Sequence, residues 1–193
     1  MTEQDDAGPG HGLVMSDTMP LRWIDAAEAT CTAEVLRNHE QNEEVLRVLA
    51  VLEEPSGEFG EEHQPVVQEM VRLEAKVNLL LGMMGELLAV HFPLPSRVPV
   101  RLSPLGIEWS AQAGPKPGDT GRVELWLNSR CPKPLILDAR IDSVVEAEEG
   151  PRCSATFIRM AEPLRDRLEK IIFRHHRRSV ALSRRLRAED EAQ

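Results

Sequence analysis

In the stretch RVPVRLSPLG, residues 97 to 106, Arg97 and Arg101 are spaced R-x-x-x-R, and Ser103 and Gly106 are spaced S-x-x-G. Guanidinium groups can stack on a flat ring and donate paired hydrogen bonds to an anion. A serine hydroxyl both accepts and donates, and a glycine lets backbone approach a ligand closely. The stretch is therefore a ligand site, a damaged one, or a coincidence in an arginine-rich chain. Other chemistry finds little support. G-x-S-x-G, Walker and H-E-x-x-H patterns are absent, and so is tyrosine. Of six histidines only His175 and His176 are adjacent. Neighbours on a helix diverge by about 100°, which makes a poor metal clamp. No enzyme and no metal centre are expected.

Composition narrows the classes further. The chain has 193 residues, 41% of them hydrophobic, enough for one core plus an appendage. A net charge of −9 opposes non-specific nucleic-acid binding. No apolar run approaches the roughly 18 residues of a membrane span, so no membrane insertion is expected. The opening MTEQDDAGPGHG lacks the basic and apolar regions of a secretory signal. Cys31, Cys131 and Cys153 are odd in number and form no C-x-x-C pair. They read as reduced thiols filling apolar space in a cytoplasmic protein.

Residues 1 to 18 are polar and are expected to be disordered. MPLRW, residues 19 to 23, reads as a short strand. From Asp25 to about Glu54 the chain lacks Pro and Gly and reads as a helix. Its stripe of Cys31, Val35, Asn38, Asn42, Val45, Leu49 and Leu52 holds two asparagines, so its first half is a weak seam. EEPSGEFGEE then breaks the helix, and its acids read as a solvated turn. A second helix follows, up to residue 91. Its positions Val66, Met70, Leu73, Val77, Leu80, Met84, Leu87 and His91 alternate steps of four and three without a miss. Val67, Leu81 and Leu88 flank that seam at e, and Met83 and Val90 at g. Two strands of coiled coil cannot bury so wide a face; either more helices join or the first helix covers the flank. The seam outlasts the good half of the first helix, so self-association is expected.

After HFPLPSRVP stops the helix, five β-branched or alternating segments follow between residues 97 and 162, split by GPKPGDTG, SRCPKP and AEEG. With the early strand they imply a small antiparallel barrel. From 163 to 187 a helix carries Leu164, Leu168, Ile172, His175, Leu182 and Leu186 on one stripe, and nine Lys and Arg residues elsewhere on its surface. Such a face is read as solvated, and nucleic acid is not an expected partner.

The order LSPLGIEWSA, PGDTGRVELWL, LILDARIDSVVEAEEGPRCSATFIRM and PLRDRLEKIIF resembles a PilZ domain over roughly residues 97 to 174. The helices between 25 and 91 resemble an atypical branch, in which a heptad-bearing insertion assembles four barrels into a tetramer. The resemblance implies an α+β fold: a six-stranded antiparallel PilZ-type β-barrel with two long inserted helices forming a coiled coil, and a C-terminal helix. The expected division is a disordered 1–18 and a single PilZ-like domain over 19–193.

In that family an R-x-x-x-R arm and a D/N-x-S-x-x-G turn clasp cyclic di-GMP. Here the turn window is RLSPLG: Ser103 and Gly106 match, while Arg101 stands where the family has an acidic or amide acceptor. Arginine cannot accept a hydrogen bond. Arg97 and Arg101 also fall inside a strand, where alternation puts both on one face, and no arginine precedes LRW. Arg101, Ser103 and Gly106 are thus read as a degenerate ligand turn, with no cofactor bound through the usual motifs. The expected protein is a non-enzymatic adaptor that self-assembles, as a tetramer by resemblance, through Val66, Met70, Leu73, Val77, Leu80, Met84 and Leu87. Its partner would be a bacterial signalling or pilus protein in motility, pilus or virulence regulation. The competing reading is a cyclic di-GMP receptor with a rearranged site.

Overall fold

The computed structural model describes residues 13–25, 32–53, 64–91, 93–111, 115–128, 131–147 and 150–190. Six strands form a closed antiparallel barrel: β1 (Met15–Asp25), β2 (Arg97–Leu102), β3 (Gly106–Ser110), β4 (Thr120–Leu125), β5 (Leu135–Val145) and β6 (Arg152–Phe157). Neighbours run β1-β2-β3-β6-β5-β4 around the barrel. Three helices accompany it: α1 (Thr32–Glu53), α2 (Gln64–His91) and α3 (Glu162–Asp190).

The early strand closes the barrel. Residues Met15 to Pro20 pair with β2, and Leu21 to Asp25 pair with β4. This corrects the expected boundary. Ser16, Asp17 and Thr18, placed by composition in a disordered terminus, lie in β1, paired with β2 between Met15 and Met19, which are almost fully buried. Three exposed polar residues in a row break the alternation there and hide the strand. The rest of the 1–12 stretch, Cys31 and the acidic EEPSGEFGEE turn from residue 54 lie outside the described residues.

Alternation also fills the barrel interior. Val100, Leu102, Ile107, Val123, Leu125 and Cys153 are among the inward residues with almost no exposed surface. Trp23 and Trp109 stack with centroids 5.9 Å apart. Gly121 makes room for that arrangement, since a Cβ there would run into the Trp23 ring and the Ile24 carbonyl. Burial raises the thiol pKa of both Cys131 and Cys153, which keeps them protonated at neutral pH.

The two long inserted helices have different surroundings. Helix α1 lies on the barrel and on α3, burying Val45, Leu46 and Leu49. Asn42, which interrupts the sequence stripe, is buried and bonds both backbone groups of Ile136. Its Nδ2 donates to the Ile136 carbonyl at 2.6 Å, and its Oδ1 accepts from the Ile136 N–H at 2.7 Å. Strand β6 begins pairing with β5 only at Ala139, so Ile136 lies beyond the ladder and Asn42 completes it. Gln41 continues the edge, donating to the Pro134 carbonyl at 2.9 Å. Helix α3 buries Leu164, Leu168, Ile171 and Ile172. Part of its basic face serves α1: Arg167 bonds Glu43 at 2.7 Å, and Arg174 donates to the Ala50 carbonyl at 3.3 Å. That corrects the reading of a wholly solvated surface. Side chains from residue 181 onward lie outside the described residues.

Candidate functional site

Two surfaces correspond to the residues singled out in the sequence. The first is the β2–β3 turn. Arg97 and Arg101 both lie on the outer face of β2, alternating with the more buried Val98, Val100 and Leu102. Arg97 donates to the Thr18 carbonyl across the β1–β2 pair at 2.5 Å. Arg101 stands opposite Glu108 on β3, and their charged groups meet at 3.2 Å. Glu108 is buried although it faces outward, and Arg101 supplies its counter-charge.

Ser103 closes the turn from within. Its Oγ accepts from the Gly106 N–H at 3.0 Å and the Leu105 N–H at 3.3 Å, and donates to the Gly106 carbonyl at 3.2 Å. A hydroxyl has one proton and two lone pairs, so these contacts use its full capacity. The backbone adds Ser103 N–H to the Gly106 carbonyl at 2.9 Å, and Phe157 N–H to the Leu105 carbonyl at 2.9 Å. A ligand would have to break the turn to reach the serine.

The second surface is α2. Its 28 residues make a rod of about 42 Å. The seam residues Met70, Leu73, Val77, Leu80, Met84 and Leu87 remain 46–67% exposed in the isolated chain. Helix α1 does not cover them, because its own apolar face is occupied by the barrel and α3. Val66 is in the same helix, but its side chain lies outside the described residues, as do those of Leu88, Val90 and His91. Outside the seam, Leu79 is also exposed on α2. Single exposed apolar residues are ordinary, whereas the six of the seam follow one another in a row along the helix.

Sequence reasoning missed a third feature. A cavity of about 620 Å³ lies between the outer face of the barrel and the C-terminal half of α2. Arg22, Arg97, Glu124 and Trp126 line it from the strands and the loop after β4, and Gly85 lines it from α2. The alternation of β1 places Arg22 on the outer face, but nothing local shows which distant elements meet it there. Among the described residues no group of three or more His, Cys, Asp or Glu could hold a metal ion. No described helix is long and apolar enough to cross a membrane.

A closed six-stranded antiparallel barrel with an inserted helical pair and a closing C-terminal helix defines a PilZ-type α+β fold. The sequence profile of the atypical PilZ domain family, described as cyclic di-GMP receptors, matches residues 46–185. The chain belongs to that family. The match takes in all of α2 and the end of α1, so α2 is part of the family pattern, while β1 and most of α1 lie outside it. A crystal structure from Xanthomonas campestris is similar, with a TM-score of 0.65 and 26% sequence identity over 89% of this chain and 91% of that chain. It is described as a pathogenic protein whose tetrameric PilZ domain self-assembles through an unusual helical bundle. No curated protein matches this chain.

Proposed function

We propose that the chain is a non-enzymatic cytoplasmic signalling adaptor that assembles through α2 and presents its barrels to protein partners. The observation that carries this reading is the α2 seam, whose six described core positions are exposed on a helix that α1 leaves uncovered. Burial of each such side chain is worth roughly 1.5–3 kcal/mol, and the gain repeats in every subunit. The width of the seam favours more than two helices, and the Xanthomonas tetramer supports four. The turn supports an adaptor role, because Ser103 is consumed within it and Arg101 is paired with Glu108. The partners fitting this reading are motility, pilus or virulence regulators. Static light scattering tests assembly: a mass of four chains is expected, and a monomer mass refutes it. Capture of a pilus or motility protein by the wild-type tetramer tests docking.

A second reading, cyclic di-GMP reception at a non-standard site, is favoured by one observation. The cavity between the barrel and α2 has a volume of about 620 Å³, and Arg22 and Arg97 line it beside Asp17 and Glu124.

A further inference from the structure

Helix α3 changes character along its length. From Glu162 to Lys170 its charges balance, with Glu162, Asp166 and Glu169 against Arg165, Arg167 and Lys170. From Arg174 to Arg187 there are six arginines and no aspartate or glutamate. The barrel end of the helix is buried at Leu164, Leu168, Ile171 and Ile172. Four consecutive residues, His176, Arg177, Arg178 and Ser179, are then all exposed. Four in a row exceed one helical turn, so every side of the helix faces solvent there. The helix has left the barrel, yet it runs on to Asp190.

The cations of this end keep their charge. Arg174 donates to the Ala50 carbonyl, a neutral group, at 3.3 Å. The Arg177 guanidinium lies 5.9 Å from the centroid of the Phe173 ring, and among the described residues no carboxylate pairs with it. His175 faces Asp17 of β1, at 3.4 Å. Phe173 is itself half-exposed. Leu13 and Phe173 are the apolar residues of a shallow depression on the helix, with Lys170, Arg174 and Arg177 around them. Asp166 and Glu169 lie at its barrel end. Arg174, Arg177, Arg178, Arg184 and Arg185 are spaced by three, four or seven residues. That spacing sets the five positions along one face, over roughly 17 Å of helix.

We propose that this end of α3 docks on an anionic phospholipid surface, lying against the headgroups without crossing them. Guanidinium groups pair with phosphate oxygens through two parallel hydrogen bonds. A layer of headgroups offers phosphate along the whole face at once, whereas an acidic protein would have to match each spacing. The Phe173 ring favours lipid as well, since an aromatic among cations sits at the boundary of headgroups and acyl chains. A chain of net charge −9 is repelled by such a surface in most orientations. The segregated arginines therefore also set which way it lands. This docking goes beyond the adaptor reading and depends neither on assembly nor on a ligand at the turn.

Co-sedimentation of the full chain with large unilamellar vesicles tests it. Vesicles of equal parts phosphatidylglycerol and phosphatidylcholine should bind the chain, and vesicles of phosphatidylcholine alone should not. An arginine near an anionic surface contributes about fivefold, so Arg177→Gln with Arg184→Gln should weaken binding about tenfold or more. Lys116→Gln with Arg140→Gln removes the same charge from the β3–β4 loop and β5, and should bind nearly as the wild type does. Phe173→Ala should weaken binding severalfold while circular dichroism stays unchanged. Salt at about 1 M, where the screening length is about 3 Å, should release the chain. Absence of binding to the phosphatidylglycerol vesicles at millimolar lipid overturns the proposal. So does binding that the Arg177 and Arg184 pair leaves unchanged. Capture of the chain by immobilised poly-L-glutamate without vesicle binding would assign the face to an acidic protein, and overturns it too. Light scattering reads assembly separately, so failed docking and a failed adaptor reading give different results.

Discussion

Replacing Asn42 with alanine removes both hydrogen bonds that complete β5 at Ile136. The Ile136 N–H and carbonyl remain, under a helix that leaves Asn42 only 3% exposed. A buried backbone group stripped of its partner costs about 1–3 kcal/mol, and two are stripped here. Water entering the space left by the amide recovers part of that, so a net loss of about 3 kcal/mol is expected. For a chain of this length each kcal/mol shifts Tm by roughly 2–4 °C, giving a fall of about 6–12 °C. Thermal unfolding followed by circular dichroism measures it. Asn42→Asp is the sharper control, because it keeps the acceptor for the Ile136 N–H and sets an unprotonated oxygen against the Ile136 carbonyl. Its loss should persist at neutral pH and shrink as acid protonates the new carboxyl. A fall in Tm of less than about 2 °C for Asn42→Ala would refute the reasoning and show that solvent satisfies the edge.

Replacing Leu73 and Leu80 together with Asp should convert the assembly to smaller species at micromolar concentration, read by analytical ultracentrifugation. The far-ultraviolet spectrum of the barrel should survive, because its core contains neither residue. Arg101→Asp should restore no tight binding at the turn, since Ser103 remains internally bonded; titration with cyclic di-GMP reads this, and a gain of micromolar affinity would contradict it. The thiols give a pH dependence. Burial raises the Cys131 and Cys153 pKa above 9.0, so their stabilising contribution is complete below that pH and is lost as pH rises through the folded values. Urea midpoints should therefore fall less steeply above pH 9 in Cys153→Ala than in the wild type, and identical slopes would show that the thiol contributes nothing.

What was legible in the sequence followed from local periodicity. The period-2 segments between 97 and 162 specify strands, and the steps of four and three in α2 specify one continuous apolar face. Both are properties of neighbouring residues. What was illegible depends on distant pairs. The stripe of α1 looked like a flawed seam because Asn42 interrupts it, yet Asn42 acts on Ile136, far away in the chain. The start of β1 was hidden by three consecutive exposed polar residues, Ser16, Asp17 and Thr18, which interrupt the period of two. Arg167 and Arg174 looked like solvated charge, and their partners Glu43 and Ala50 belong to another helix. The cleft beside α2 needs β1, β2, the loop after β4 and α2 in one place, a juxtaposition that no single segment encodes.

The adaptor account stands most directly on the state of the exposed α2 seam in solution. Size-exclusion chromatography with in-line static light scattering on the wild-type chain measures it at micromolar concentration. The account predicts a mass of four chains of 21.6 kDa each. A mass near that of a single chain would contradict it, because the six exposed seam positions would then have no partner.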